Sequence, residues 1–139
     1  MNTKIEGAFQ GIKVLELTRG KSGAFCGMVL ADNGAEVIKV NDVGGGPAQV
    51  DPHYSILDRG KVIYKHDINF DKENFISLLK VTDVLINDFE LSETNVGCVS
   101  YDWLKEINPG LIFCSITAYG GKGYLSLQPP VDDLVKART

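Results

Sequence analysis

Cysteine and histidine are scarce in this 139-residue chain, with three Cys and two His. Cys26, Cys98 and Cys114 are odd in number and far apart, and no C-x-x-C occurs. That pattern does not suggest a disulfide framework, and a reducing, cytoplasmic setting is the expectation. His53 and His66 lie at ligand spacing neither from each other nor from a cysteine, so no metal site is expected. No apolar run approaches the ~18 residues that cross a bilayer. The first ten residues, MNTKIEGAFQ, hold no apolar segment of a secretory signal. The chain therefore reads as soluble, without a membrane partner. Fourteen Lys and Arg against eighteen Asp and Glu give a net charge of −4. The basic excess that draws nucleic acid by counterion release is absent. So is the G-x-S-x-G elbow of a serine nucleophile.

What is present is an ordinary globular balance, 44% apolar and 23% charged. Residues 12–17 (IKVLEL) read as a strand and 18–23 (TRGKSG) as a turn-rich loop. Ser22 is a plausible N-cap for a helix that places Phe25, Met28 and Val29 on one apolar face and stops at Asn33-Gly34. Residues 36–40 form a second strand, which completes a strand–helix–strand unit of about thirty residues. The stretch 41–60 is irregular and glycine-rich. Further strands are expected over 62–65, 83–87 and 111–116. One helix carries Phe75, Ile76, Leu78 and Leu79, and another is capped by Ser100 and ended by Asn108-Pro109-Gly110. Residues 118–130 read as a loop, and a helix is expected to start at Asp132 and run to Arg138. Alternating strands and helices predict one α/β domain, a Rossmann-like, mostly parallel sheet with helices on both faces.

Ligands of such sheets sit outside the carboxyl ends of the strands, near helix N-termini. The loop after the first strand fails two motif tests. The Walker glycine is replaced by Leu15, and Gly20, Gly23 and Gly27 have the wrong spacing for a dinucleotide fingerprint. What remains is a helix start flanked by Arg19 and Lys21, suited to an anion and equally readable as a solvated turn. Asp58-Arg59-Gly60-Lys61 could meet a phosphate or be a surface turn. Asn87-Asp88-Phe89 could hold an adenine ring or a thioester arm, or cap a turn. The glycine loop 115–121 (SITAYGG) could cover a ligand or merely connect. Cys26 and Cys114 lie in apolar runs that make thiols inert. His66 has no identifiable partner, and Asp132-Asp133 read as an N-cap doublet. No catalytic residue is assigned.

Seven stretches taken in order resemble one family. They are 11–18 (GIKVLELT), 30–40 (LADNGAEVIKV), 44–46 (GGG), 59–61 (RGK), 83–89 (DVLINDF), 107–116 (INPGLIFCSI) and Tyr119-Gly120. Their order and spacing are similar to the amino-terminal domain of class III CoA-transferases. That group includes formyl-CoA and carnitine CoA-transferases and the related α-methylacyl-CoA racemases. The resemblance implies a single truncated CoA-binding domain over residues 1–139, with coenzyme A or an acyl-CoA as the bound substrate. It implies contacts from Arg19, Gly20, Lys21 and Ser22 after the first strand. Asn41 and Asp42 would lie near the adenine end, Asp67, Ile68 and Asn69 after the third strand, with Asp88, Phe89 and Tyr119 beyond. Arg59 and Lys61 join this set as the second basic feature. Departures are Asn41 where the family has Glu, Asp88 where it has Asn, and Val96 where it often has Arg. The family's transferases use an aspartate that forms an acyl anhydride and then an aspartyl-CoA thioester. The resemblance puts that aspartate beyond residue 139, so the chain is expected to hold the binding half without the chemical half. A racemase-like fragment, or an interaction domain with a decayed CoA site, are the alternatives. The partner would be a second chain that supplies the missing half, or a second copy.

Overall fold

A computed structural model describes residues 7–40, 54–64, 72–88, 100–120, 122–126, 128 and 135–137. The apolar, β-branched runs bounded by turn residues form five strands. They are β1 (Lys13–Leu17), β2 (Glu36–Val40), β3 (Lys61–Tyr64), β4 (Val84–Asn87) and β5 (Ile112–Ser115). Between them lie α1 (Lys21–Asp32), α2 (Tyr54–Leu57), α3 (Lys72–Lys80) and α4 (Tyr101–Ile107). The sheet order is β3-β2-β1-β4-β5, and every neighbouring pair is parallel. This is the α/β architecture the alternation predicts. The order reverses direction between β1 and β4, which makes the crevice above their carboxyl ends the switch point of the sheet.

Side chains alternate along each strand, so the sheet has two apolar faces. Leu15, Leu17, Val40 and Leu85 pack with Phe75 and Leu79 of α3, Leu104 of α4 and Leu111. Val14, Val37 and Ile86 meet Ala35, Cys26, Leu30 and Ala31 on the α1 face. Leu79, Leu85 and Ile86 are fully buried, each worth about 1.5–3 kcal/mol relative to exposure. The Phe75 and Trp103 rings stack 6.5 Å apart and join α3 to α4. Asn108 Nδ2 donates to the carbonyls of Leu79 (2.9 Å) and Thr82 (2.7 Å), which ties off the end of α3. Ser100 caps α4 as expected, its Oγ accepting from Trp103 N at 3.2 Å.

Three local expectations are corrected. The buried side of α1 is Gly23, Ala24, Gly27 and Met28, whereas Phe25 and Val29 face outward. Apolar spacing marks a stripe without saying whether small residues beside it make the closer contact. The N-cap is Gly20, and Ser22 lies inside the first turn. The stretch read as irregular also contains the short α2. The helix expected over 132–138 lies mostly outside the described residues.

Candidate functional site

Leu17 and Asn87 are register partners at the ends of β1 and β4. The next residues, Thr18 to Gly20 and Asp88, therefore stand side by side above the switch point. α1 starts there with no acidic residue in its first turn and no side-chain bond from its N-cap. The anion its positive end calls for comes from across the crevice. Asp88 Oδ1 accepts from Arg19 N at 2.7 Å, and Oδ2 accepts from Gly20 N at 2.8 Å. Lys21 and Ser22 are exposed on the first turn, and Arg19 is half-buried. Ile116 N donates to Asn87 O at 2.7 Å and so carries the chain beyond β5 along this edge. It leads to a turn in which Gly120 N donates to Thr117 Oγ1 at 2.9 Å and Tyr119 is half-buried.

The structure does not bring the two basic features together. Arg59 and Gly60 precede β3, so in a parallel sheet they stand at the amino edge, away from Arg19 and Lys21. Arg59 grips Asp32, the last residue of α1, through both carboxylate oxygens, with Nε to Oδ1 at 3.1 Å. The pairing lowers the Asp32 pKa and raises that of Arg59. Lys61 turns inward, its side chain fully buried, with Nζ 2.7 Å from Glu16 Oε2 and 2.8 Å from Ala24 O. Of the remaining expected contacts, Asn41, Asp42, Asp67, Ile68, Asn69 and Phe89 lie outside the described residues.

Sequence reasoning missed a largely buried charge cluster under α1. Glu16 and Lys39 are register partners on β1 and β2 and are 0% and 2% exposed. Lys39 Nζ lies 2.6 Å from Asp58 Oδ1 and 3.9 Å from Glu16 Oε1. Lys61 Nζ lies 3.8 Å from the same Asp58 oxygen. Thr18 Oγ1 donates to Glu16 Oε1 at 2.7 Å. Two cations and two anions balance. Burial pushes the Glu16 carboxyl up, opposed by the bond and charge of Lys61, the Thr18 bond and the Lys39 charge. Burial also pushes up the Cys26 thiol, helped by Cys114 and Glu16 nearby and opposed by Lys61. A signal was available: a strand covered on both faces buries its mid-strand charges, and these need partners. With Glu16, Lys39 and Lys61 buried and only Asp58 partly exposed, the cluster braces the elements beneath α1.

At the opposite, amino edge a cavity of about 430 Å³ is lined by Gly11, Lys13, Lys80, Asp83, Asn108 and Gly110. It lies away from the carboxyl ends where α/β sheets take ligands. Among the described residues no group of three His, Cys, Asp or Glu could hold a metal ion. None of the described helices is long and apolar enough to cross a membrane.

A family model for CoA-transferase family III matches residues 9–139. Succinyl-CoA:mesaconate CoA-transferase from Haloarcula hispanica is 31% identical over 94% of this chain and 38% of its own length. Human succinyl-CoA:glutarate CoA-transferase is 34% identical over 92% of this chain and 32% of its own. Among solved structures, a CAIB/BAIF family protein from Brucella suis superposes with a TM-score of 0.86 and 30% identity, covering 96% of this chain and 39% of that one. A hypothetical protein from Mycobacterium tuberculosis gives 0.82 and 34%, with 95% and 39% covered. The chain thus spans between about a third and two fifths of the length of these relatives, corresponding to their amino-terminal part.

Proposed function

The chain belongs to CoA-transferase family III, and from that premise we propose that it binds a CoA thioester along the carboxyl edge of its sheet and forms the binding part of a CoA-transferase. The observation that carries this reading is the family match over residues 9–139, nearly the whole chain. The geometry supports it through a switch point between β1 and β4 with a helix start and two cationic residues, Arg19 and Lys21, beside it. Asn41 follows β2 directly in sequence, Asp42 is next, and Asp67 to Asn69 come shortly after β3. Asp88 and Phe89 follow β4, and Tyr119 follows β5, so all the residues retained in the site continue from carboxyl ends. Arg59 and Lys61 drop out of the set, because their cations are engaged at the other edge and in the core.

The relatives' names define the class of reaction: CoA moves between succinyl-CoA and mesaconate or glutarate, or between acetyl-CoA and oxalate. In such an exchange a carboxylate attacks the thioester carbonyl and expels the CoA thiolate, which must be held for return to the second acyl group. Holding CoA through that interval is the task this domain performs. The attacking carboxylate comes from outside residues 1–139, from a second chain or a further segment. Calorimetry on the folded 139-residue protein is expected to show micromolar to millimolar binding of CoA and succinyl-CoA, with no acyl exchange by the protein alone. An Arg19→Glu, Lys21→Glu double variant is expected to bind about tenfold more weakly or worse. Absence of any binding heat with folded protein would overturn the reading.

A second reading, an interaction domain, is favoured by one observation. Phe25 (54% exposed) and Val29 (39%) on α1, and Ile56 (60%) on α2, present apolar side chains to solvent. Light scattering separates the two: self-association without CoA binding supports interaction, and a CoA-binding monomer supports the transferase reading.

A further inference from the structure

We propose that Asp88 is the built-in anion of the turn between β1 and α1, and that it makes the β1/β4 crevice select an uncharged part of the substrate over a phosphate. Both carboxylate oxygens are committed, one to the amide of Arg19 at 2.7 Å and one to that of Gly20 at 2.8 Å. The Gly20 amide is one of the donors a phosphate would seek at a helix start, and the Arg19 amide precedes it. Little room is left beside them. Oδ2 lies 3.0 Å from where a Cβ on Gly20 would stand and 2.8 Å from the same point on Gly23, so the carboxylate rests directly on the first turn. An incoming phosphate must displace a tethered anion whose effective concentration is of millimolar order or above, and it meets a like charge on approach. Asparagine could not reproduce the grip. Its oxygen can accept from an amide, but its NH₂ faces an N–H with a donor.

The inference rests on the CoA reading and refines it. The portion of a CoA thioester that lies against the Arg19 and Gly20 amides is the uncharged, amide-bearing pantetheine arm, and the phosphates are held off the amides, which leaves the Arg19 and Lys21 side chains as their cationic neighbours. Asp88 is then a specificity-determining residue of the site.

Amide NMR of the ¹⁵N-labelled full chain, unmodified and as Asp88→Ala, tests this. Inorganic pyrophosphate up to about 1 mM, no more than the effective concentration it must overcome, is expected to leave the Arg19 and Gly20 amide signals in place, and in Asp88→Ala to move them saturably. Calorimetry supplies the second arm. In Asp88→Asn, CoA is expected to bind about three- to tenfold more tightly and pantetheine to change less than about twofold, the span of a helix-terminus charge interaction. A saturable shift of both amides with pyrophosphate in the unmodified chain would overturn the proposal, as would equal changes for CoA and pantetheine in a folded Asp88→Asn. If CoA gives no heat with any form of the protein, the CoA reading fails, and the pyrophosphate titration still decides whether Asp88 guards the turn.

Discussion

Gly27 shows how one residue type can fix the distance between a helix and a sheet. A Cβ built on it would come 1.9 Å from Glu16 Oε2 and 3.2 Å from Lys61 Nζ. The missing side chain is therefore what lets α1 lie over a buried ion pair. Gly23 has the same role one turn earlier, where a Cβ would stand 2.4 Å from Thr18 Cγ2. Neither neighbour of Gly27 can retreat easily, because Glu16 is fixed by Thr18 and Lys61, and Lys61 by Ala24 O. Gly27→Ala is expected to destabilise the fold by about 2–4 kcal/mol, the sum of overpacking and a disturbed buried pair. Urea unfolding measures it. Alanine's better helix propensity would otherwise stabilise by roughly 1 kcal/mol, so a neutral or stabilising result would show that the contact relaxes freely.

At the element scale, α1 starts unconventionally, since the carboxylate on its N-cap amide belongs to Asp88, just after β4 and 68 residues away in sequence. Asp88→Ala removes two charge-assisted bonds to backbone amides and the anion at the helix start. It is expected to cost about 1–2 kcal/mol. Hydrogen exchange should localise the effect, with faster exchange in the first turn of α1 and little change in α4, which carries its own Ser100 cap. Uniform acceleration would contradict the capping role. Most elements were legible in the sequence for local reasons. Asn33-Gly34 stops a helix, Asn108-Pro109-Gly110 ends another, and apolar runs such as 111–116 admit only a strand in a covered sheet. The buried side of α1 was not legible, because glycine and alanine carry no hydrophobic signal while Phe25 and Val29 carry a strong one. The site was legible in part. Among the described residues, Arg19 to Ser22, Asp88 and Tyr119 follow strands and stand at the carboxyl edge, but Arg59 and Lys61 were grouped with them on charge alone. A residue that precedes a parallel strand stands at the other edge, and that rule already separates them. The Asp88 contact needed the β1–β4 pairing, which no local pattern encodes.

For the molecule as a whole, the buried charges act as a brace between secondary elements. Glu16 sits on β1, Lys39 on β2, Lys61 on β3, and Asp58 in the turn that follows α2, while Ala24 O brings in α1. Burial holds the Glu16 carboxyl above the 4.5 of an unperturbed glutamate, with Lys61 the leading influence against it. Between 4.5 and the folded value, the folded state carries a proton the unfolded chain has released, so this group's contribution to stability falls as pH rises through that window. Lys61→Met keeps most of the volume and removes the counter-charge, which pushes the folded Glu16 value further up and widens the window. At about pH 7 the variant must bury a carboxylate without its nearest cation, and a loss of about 3–5 kcal/mol is expected. At about pH 5 Glu16 can take up a proton and the loss should shrink, because stability lost by raising an acid's folded pKa is recovered as pH falls. Urea unfolding of both proteins at the two pH values reads this directly. A deficit that does not change with pH would mean that Lys61 acts through packing, and that the brace is not held by charge.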